Sequence, residues 1–129
     1  MSLLKATFLK FQHWLPPVLC AVLIFWFSSQ STLPGFQLSI IDFFFKKTAH
    51  ICSYAALYFF TRRAIIKSQP NLDLNDKRVW LLPFVICLVY AMSDEVHQAF
   101  IPNRTATFRD IGYDLLGMIT VFLRQNRYI

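Results

Sequence analysis

Within Tyr90-Ala91-Met92-Ser93-Asp94-Glu95-Val96-His97-Gln98, a long apolar run ends in two carboxylates, an imidazole and an amide. Asp94 lies three positions from His97 and four from Gln98, so the three share one face of a helix, with Tyr90 one turn below. A carboxylate beside an imidazole is an acid-base pair: the ring exchanges a proton near neutral pH and the carboxylate stabilises its charged form. Ser93, one turn from His97, is the candidate nucleophile of the stretch. Glu95 projects about 100 degrees away from Asp94. One of the two therefore serves a pocket while the other pairs with a loop residue such as Arg104 or Arg109. Two further stripes carry matching chemistry, Lys47, His50 and Tyr54 on one helix and Asp110, Asp114 and Gly117 on another.

The elements that must position these residues are four apolar runs, each too short by itself. A helix needs about 20 residues to cross the hydrocarbon layer, and the run Val79 to Met92 supplies 14. Completing that span draws Asp94, Glu95 and His97 to the membrane edge or inside it, where ionisable groups are costly and face a bundle interior or watery cavity. The first run, Trp14 to Phe27, is completed by Ser28, Ser29 and Gln30. The second, Thr48 to Phe60, contains His50 and either draws in Lys47 or is extended by Ala64 to Ile66 while Arg62 and Arg63 snorkel. The fourth, Ile111 to Leu123, contains Asp114 and starts at Asp110. The expectation is an all-α, integral membrane four-helix bundle with approximate spans 13–30, 46–64, 79–98 and 109–126, forming a single domain over 1–129. In an up-and-down path the polar extensions fall on one membrane face. Lys/Arg bias assigns the faces. Nine cations (Lys5, Lys10, Arg62, Arg63, Lys67, Lys77, Arg78, Arg124, Arg127) lie on the plain side, against four (Lys46, Lys47, Arg104, Arg109) beside the polar residues. Both termini are thus expected in the cytoplasm and the cluster outside it, which makes this a multi-pass protein of the cell's inner (cytoplasmic) membrane.

Composition agrees. A chain that is 56% hydrophobic, with 14 Phe and 3 Gly in 129 residues, has too little polar surface for a soluble globule. The net charge of +6 is read as positive-inside bias plus attraction to anionic lipid heads, with membrane lipids as partners and no nucleic acid. Cys20, Cys52 and Cys87 each fall inside a span as small buried hydrophobes, with no disulfide framework or Cys-x-x-Cys spacing. Lys5 and Lys10 before an apolar run, with Ser29-x-Ser31 behind it, imitate a signal peptide; cleavage is not expected, because it would reverse the charge pattern. Lys67 to Lys77, with Pro70, Asn71, Asp73, Asn75 and Asp76, reads as a solvated connector. Ser31 to Phe45 mixes Pro34-Gly35 with Phe36, Ile40, Ile41, Phe43, Phe44 and Phe45, and is expected to lie in the interface or re-enter over the polar site. Pro16-Pro17 is placed near the first turn of helix one and Pro83 early in helix three.

Taken in order, Ser28-Ser29-Gln30, Lys47-x-x-His50-x-x-x-Tyr54, Ser93-Asp94-Glu95-x-His97-Gln98-x-Phe100-x-Pro102-x-Arg104, Asp110 and Asp114-x-x-Gly117 resemble the VanZ-like family over essentially the whole chain. Two positions depart from the family's commoner pattern: Asn103 stands where Gly is usual between the Pro and the Arg, and Asp114 where Asn is usual. The resemblance implies a bacterial cell-envelope membrane protein, with a link to resistance against teicoplanin-type antibiotics and no established reaction.

Several functions compete on the residues alone, and whether the chain is an enzyme stays open. Asp94, His97 and His50 are the candidate catalytic groups; Lys47, Tyr54, Glu95, Gln98, Arg104, Asp110, Asp114 and Gln30 are candidates to line a binding pocket. In that reading Lys47 and Arg104 hold a phosphate or carboxylate of a lipid-linked or cell-wall-related molecule. A zinc or manganese site from His50, His97 and Asp94 is a weaker reading, because the two-His helical spacing is missing, and neither a metal nor another cofactor is assigned. A proton relay lacks the inverted repeat of transporters. The non-enzymatic alternative is a scaffold or interaction protein whose polar cluster neutralises itself and fixes helix registry.

Overall fold

The computed structural model describes residues 3–32, 35, 39–69 and 71–129. Pro34, Phe36 and Pro70, which enter the loop expectations above, lie outside them. Among the described residues the regular elements are four helices, α1 (Leu3–Ser28), α2 (Ser39–Ser68), α3 (Arg78–Gln98) and α4 (Phe108–Gln125). The all-α, four-helix expectation holds, and α3 and α4 fall within a residue of their expected bounds.

The first two helices are longer than expected. Residues 39–45, read from sequence as interfacial loop, are the first turns of α2. Asp42 sits in that first turn, where a carboxylate favours the positive end of the helix dipole, and pairs with Lys46 one turn on at 2.6 Å. Helix α1 begins well before Pro16-Pro17, so the prolines lie inside it instead of at its first turn. Each removes one backbone donor, and the helix continues on both sides. Pro83 is the sixth residue of α3, past the free first-turn donors, and leaves the Val79 carbonyl without its helical partner. The start of α3 is held by Asp76. Its Oδ1 accepts the Arg78 backbone N–H at 2.8 Å and its Oδ2 accepts Arg78 Nη2 at 2.7 Å. That guanidinium and the Arg78 N–H hold the carboxyl below the usual carboxylate range.

Helix α2 packs against all three others and most extensively against α4. Gly117 makes that approach possible: a Cβ there would overlap the Ile51 carbonyl oxygen and stand 3.0 Å from Ala55 N. The apolar core joins Ile24, Tyr54, Leu57, Tyr58, Cys87, Ala91 and Met118. Of the three cysteines only Cys87 is fully buried. Cys52 is exposed on the outer face of α2, against the expectation of three buried thiols, because its turn of the helix faces away from the bundle.

Polarity is distributed the wrong way round for a water-soluble bundle. Val22, Trp26, Phe44, Val89 and Val96 are all more than half exposed, whereas Asp94, Glu95, Asp110 and Asp114 are buried. An exposed apolar belt around a polar interior suits hydrocarbon as the surrounding medium. Among the described residues two helices, over Phe11–Ser28 and Arg78–Gln98, are long and apolar enough to cross a membrane by length and composition. Helices α2 and α4 carry denser charge, with Lys46, Lys47, Arg62, Arg63 and Lys67 in the one and Arg109, Asp110, Asp114 and Arg124 in the other.

Candidate functional site

The polar residues gather where α1 ends, α2 enters the bundle, α3 ends and α4 begins. They form two hydrogen-bonded halves.

The first half joins α1 to α3. Asp94 Oδ2 accepts from Ser28 Oγ at 2.9 Å and from Gln98 Nε2 at 2.9 Å, so the i, i+4 stripe read from sequence closes onto the end of α1. His97 Nε2 is 3.0 Å from Ser29 Oγ, and its ring stacks on Phe25 with centroids 4.7 Å apart. The hydroxyl beside the imidazole is therefore Ser29 and not Ser93. Ser93 is exposed and donates to the Tyr90 carbonyl at 2.7 Å, the local bond a serine makes when it caps its own helix turn. Tyr90 in turn donates to the Ala21 carbonyl at 2.7 Å.

The second half joins α2 to α4. Lys47 Nζ donates to Asp110 Oδ1 and lies over the rings of Phe43 and Tyr113. One turn on, His50 Nδ1 and Asp114 Oδ1 are 2.9 Å apart. The carboxylate at position 114 is thus the partner of His50, buried to 1% exposure.

Helix α3 serves both halves, because Asp94 and Glu95 diverge around its axis. Both are 6% exposed. Glu95 turns toward α2 and α4, where its Oε2 accepts the Thr107 backbone N–H at 2.9 Å ahead of the first turn of α4. One of the pair does bond to a loop residue, as expected, but the partner is the Thr107 N–H, and among the described residues neither carboxylate pairs with Arg104 or Arg109. Arg104 instead donates to the backbone carbonyls of Phe27, at 2.8 Å, and Gln30, at 3.0 Å. The last carbonyls of a helix are open acceptors at its negative end, and a guanidinium from the following loop satisfies them. The loop that presents Arg104 turns at Asn103, whose φ is 62°, a left-handed conformation that Gly adopts freely and Asn tolerates better than most residues. The departure from Gly at this position therefore keeps the turn. Gln30 is not in the cluster. Its side chain donates to the Trp26 carbonyl at 3.0 Å on the surface, and its own carbonyl serves Arg104.

Several polar atoms at the junction of the halves are buried with no hydrogen-bond partner among the described residues: Tyr54 OH, Asp94 Oδ1 and Glu95 Oε1. Tyr54 is 1% exposed and within electrostatic reach of Asp94, Glu95 and Asp114. Ligand atoms of His50, Glu95 and Asp114 lie within 4.8 Å of one another. No such grouping joins His50 with His97 and Asp94 among the described residues, since His97 is turned toward α1. Below Ser93 an apolar groove of about 280 Å³ runs between α1, α2 and α3, lined by Pro17, Ala21, Leu57, Val89 and Tyr90 among others.

An all-α bundle with a lipid-compatible exterior and a buried acidic cluster at the helix ends defines a class of membrane-associated helical proteins. Within it, the VanZ/LLP1 family model matches residues 9–124, and the chain belongs to that family. The family is membrane-associated and linked in general to teicoplanin resistance. Comparison with curated proteins and with solved structures gave no match.

Proposed function

We propose that the chain is a four-span protein of the cytoplasmic membrane, with both termini cytoplasmic, and that its polar cluster binds the head of an extracytoplasmic lipid-linked or cell-wall-related molecule. The observation that carries this reading is the set of partnerless buried atoms, Tyr54 OH, Asp94 Oδ1 and Glu95 Oε1. Each orphan costs about 1–3 kcal/mol, so two open carboxylate oxygens and a phenol within one network favour a bound partner over a role in holding helices alone. These three sit on adjoining helices at one end of the bundle, as the unfilled half of a set of hydrogen bonds, while three more, Arg62 Nε, Ser68 Oγ and Gln125 Oε1, lie toward the other end.

The chemistry of those atoms names the kind of head. Two are carboxylate oxygens, which accept only, and the third is a phenol, which does both. They call for hydroxyl, amine or amide donors, as a sugar or amino-acid head supplies. The sequence reading in which Lys47 and Arg104 grip a phosphate loses its support, because Lys47 is engaged by Asp110 and Arg104 by the Phe27 and Gln30 carbonyls. The apolar groove, lined at one end by Ser93 and Tyr90, offers hydrocarbon contact that fits the chain of a lipid-linked molecule. His97, hydrogen-bonded to Ser29 and one turn from Asp94, carries the acid-base capacity for any step performed on the bound head.

Two substitutions test the reading against the scaffold alternative. His97→Gln keeps polarity and removes protonation; Asp94→Asn keeps an acceptor for Ser28 and Gln98 and removes charge. Both should insert and melt in detergent close to the parent while teicoplanin susceptibility rises toward that of cells lacking the protein. Parallel losses of stability and phenotype would favour a purely architectural cluster.

A further inference from the structure

The acidic half of the cluster is short of positive charge. Lys47 pairs with Asp110, and Arg104, within electrostatic reach of Asp94 and Glu95, hydrogen-bonds only to carbonyl groups, so Glu95 and Asp114 are buried at 6% and 1% exposure with one imidazole and no ammonium or guanidinium in contact. Two buried carboxylates without a cation are an expensive arrangement. Their geometry is that of a ligand set. One nitrogen of His50 and one oxygen each from Glu95 and Asp114 lie within 4.8 Å of one another, contributed by α2, α3 and α4. Donors about 2.0–2.2 Å from a common ion at tetrahedral angles stand ~3.3–3.6 Å apart, so side-chain shifts of about 1 Å or less would close the triangle. Glu95 adds an independent sign. It is more than nine-tenths buried, and while one of its carboxylate oxygens accepts from Thr107, the other, Oε1, has no hydrogen-bond partner among the described residues.

We propose that His50, Glu95 and Asp114 bind a single divalent first-row metal ion, zinc or manganese, at the junction of α2, α3 and α4. One imidazole and two carboxylates suit these ions: the nitrogen favours zinc, oxygen ligands favour manganese, and both accept a mixed set. Two carboxylates and a 2+ ion sum to zero charge, the favourable state in a low-dielectric interior. The ion takes the place of the proton now shared between His50 Nδ1 and Asp114 Oδ1 and gives Glu95 Oε1 the partner it lacks. Three protein ligands leave coordination positions for water or for a ligand oxygen, and Tyr54, one turn from His50 on α2, supplies a hydroxyl near that opening. The inference deepens the head-binding reading: it moves Glu95 Oε1 from the head to the ion, leaves Tyr54 OH and Asp94 Oδ1 to the head, and rests on that reading only for which molecule the ion would face.

The test uses the full-length chain, purified in detergent, stripped with chelator and titrated with Zn²⁺ or Mn²⁺ alone. The expected result is one ion per chain after gel filtration, with pulsed EPR of the Mn²⁺ form showing coupling to an imidazole nitrogen. Glu95→Gln and His50→Gln should each weaken binding by about 100-fold or more, given that losing even an outer-shell partner costs 10–100-fold. Asp73→Asn, in the α2–α3 loop, should leave it unchanged. Absence of a stoichiometric ion, absence of nitrogen coupling, or parent-like affinity in both ligand variants overturns the site. The nitrogen signal is read on the parent chain, so it decides the matter even if a variant does not fold. Metal content is measured without any drug or lipid. A negative result therefore leaves the head-binding reading standing, whereas a metal-loaded chain whose His97→Gln and Asp94→Asn variants keep full resistance sinks that reading and spares the metal.

Discussion

At the scale of residues, each buried charge is matched or deliberately left open. Lys47 and Asp110 are the clearest matched pair, with side chains 19% and 8% exposed, and the ammonium of the lysine lies over the rings of Phe43 and Tyr113. Removing the cation alone strands a carboxylate in the bundle. Lys47→Met is therefore expected to destabilise the protein by about 3–5 kcal/mol, while Lys47→Met combined with Asp110→Leu recovers most of that loss. Chemical unfolding of the single and double variants in detergent measures the coupling, and equal losses in both would show that the two residues do not depend on each other. The contrast with Glu95 is instructive: one of its oxygens is fixed by Thr107 and the other is open. A structural residue would have both satisfied.

At the scale of elements, one glycine sets the separation of two helices. Helices α2 and α4 carry His50 and Asp114, and their hydrogen bond exists because Gly117, three residues after Asp114, lets the backbones meet at Ile51 and Ala55. Any side chain at 117 pushes α4 away from backbone atoms that cannot yield. Gly117→Ala is expected to cost about 1–3 kcal/mol through overpacking and to weaken the site along with the fold. Gly112, on the same helix, is the control, since nothing lies within 4 Å of the position its Cβ would occupy. Gly112→Ala should be neutral or stabilising by up to ~1 kcal/mol, from helix propensity alone. A thermal melt of the two variants side by side reads the difference, and similar midpoints for both would remove Gly117 from its role as the close-contact point.

At the scale of the molecule, all polar extensions emerge at one end of the bundle, and the topology proposed above from the charge bias of the loops puts that end outside. In a cysteine-free background, a single cysteine replacing Asn103 should react with a membrane-impermeant maleimide in intact cells, whereas one replacing Asn75 should react only after lysis. Both positions are exposed at loop turns, so access to reagent and not burial decides the outcome. Labelling of Asn75 alone in intact cells would invert the topology and place the cluster at the cytoplasmic side.

The helical stripes were legible in the chain because α-helical periodicity is local: three- and four-residue spacing placed Lys47 with His50, Asp94 with Gln98 and Asp110 with Asp114 before any contact was known. The apolar runs likewise located four helices, and the small residue at 117 marked a close approach. Spacing carries no information about rotation between helices. It could not say that His97 would find Ser29 instead of Ser93, that Arg104 would reach back to the carbonyls closing α1, or that Glu95 and not Asp94 would join His50 and Asp114. The greasy segment before Lys46 misled for a related reason, since an apolar run reads the same as an interfacial loop or as the first turns of a helix. Those choices were made by tertiary structure, through the angle at which α3 sits between its neighbours and the closeness that Gly117 permits between α2 and α4. Buried polar groups bind whatever partner packing brings within about 3 Å, and only the folded bundle sets that distance.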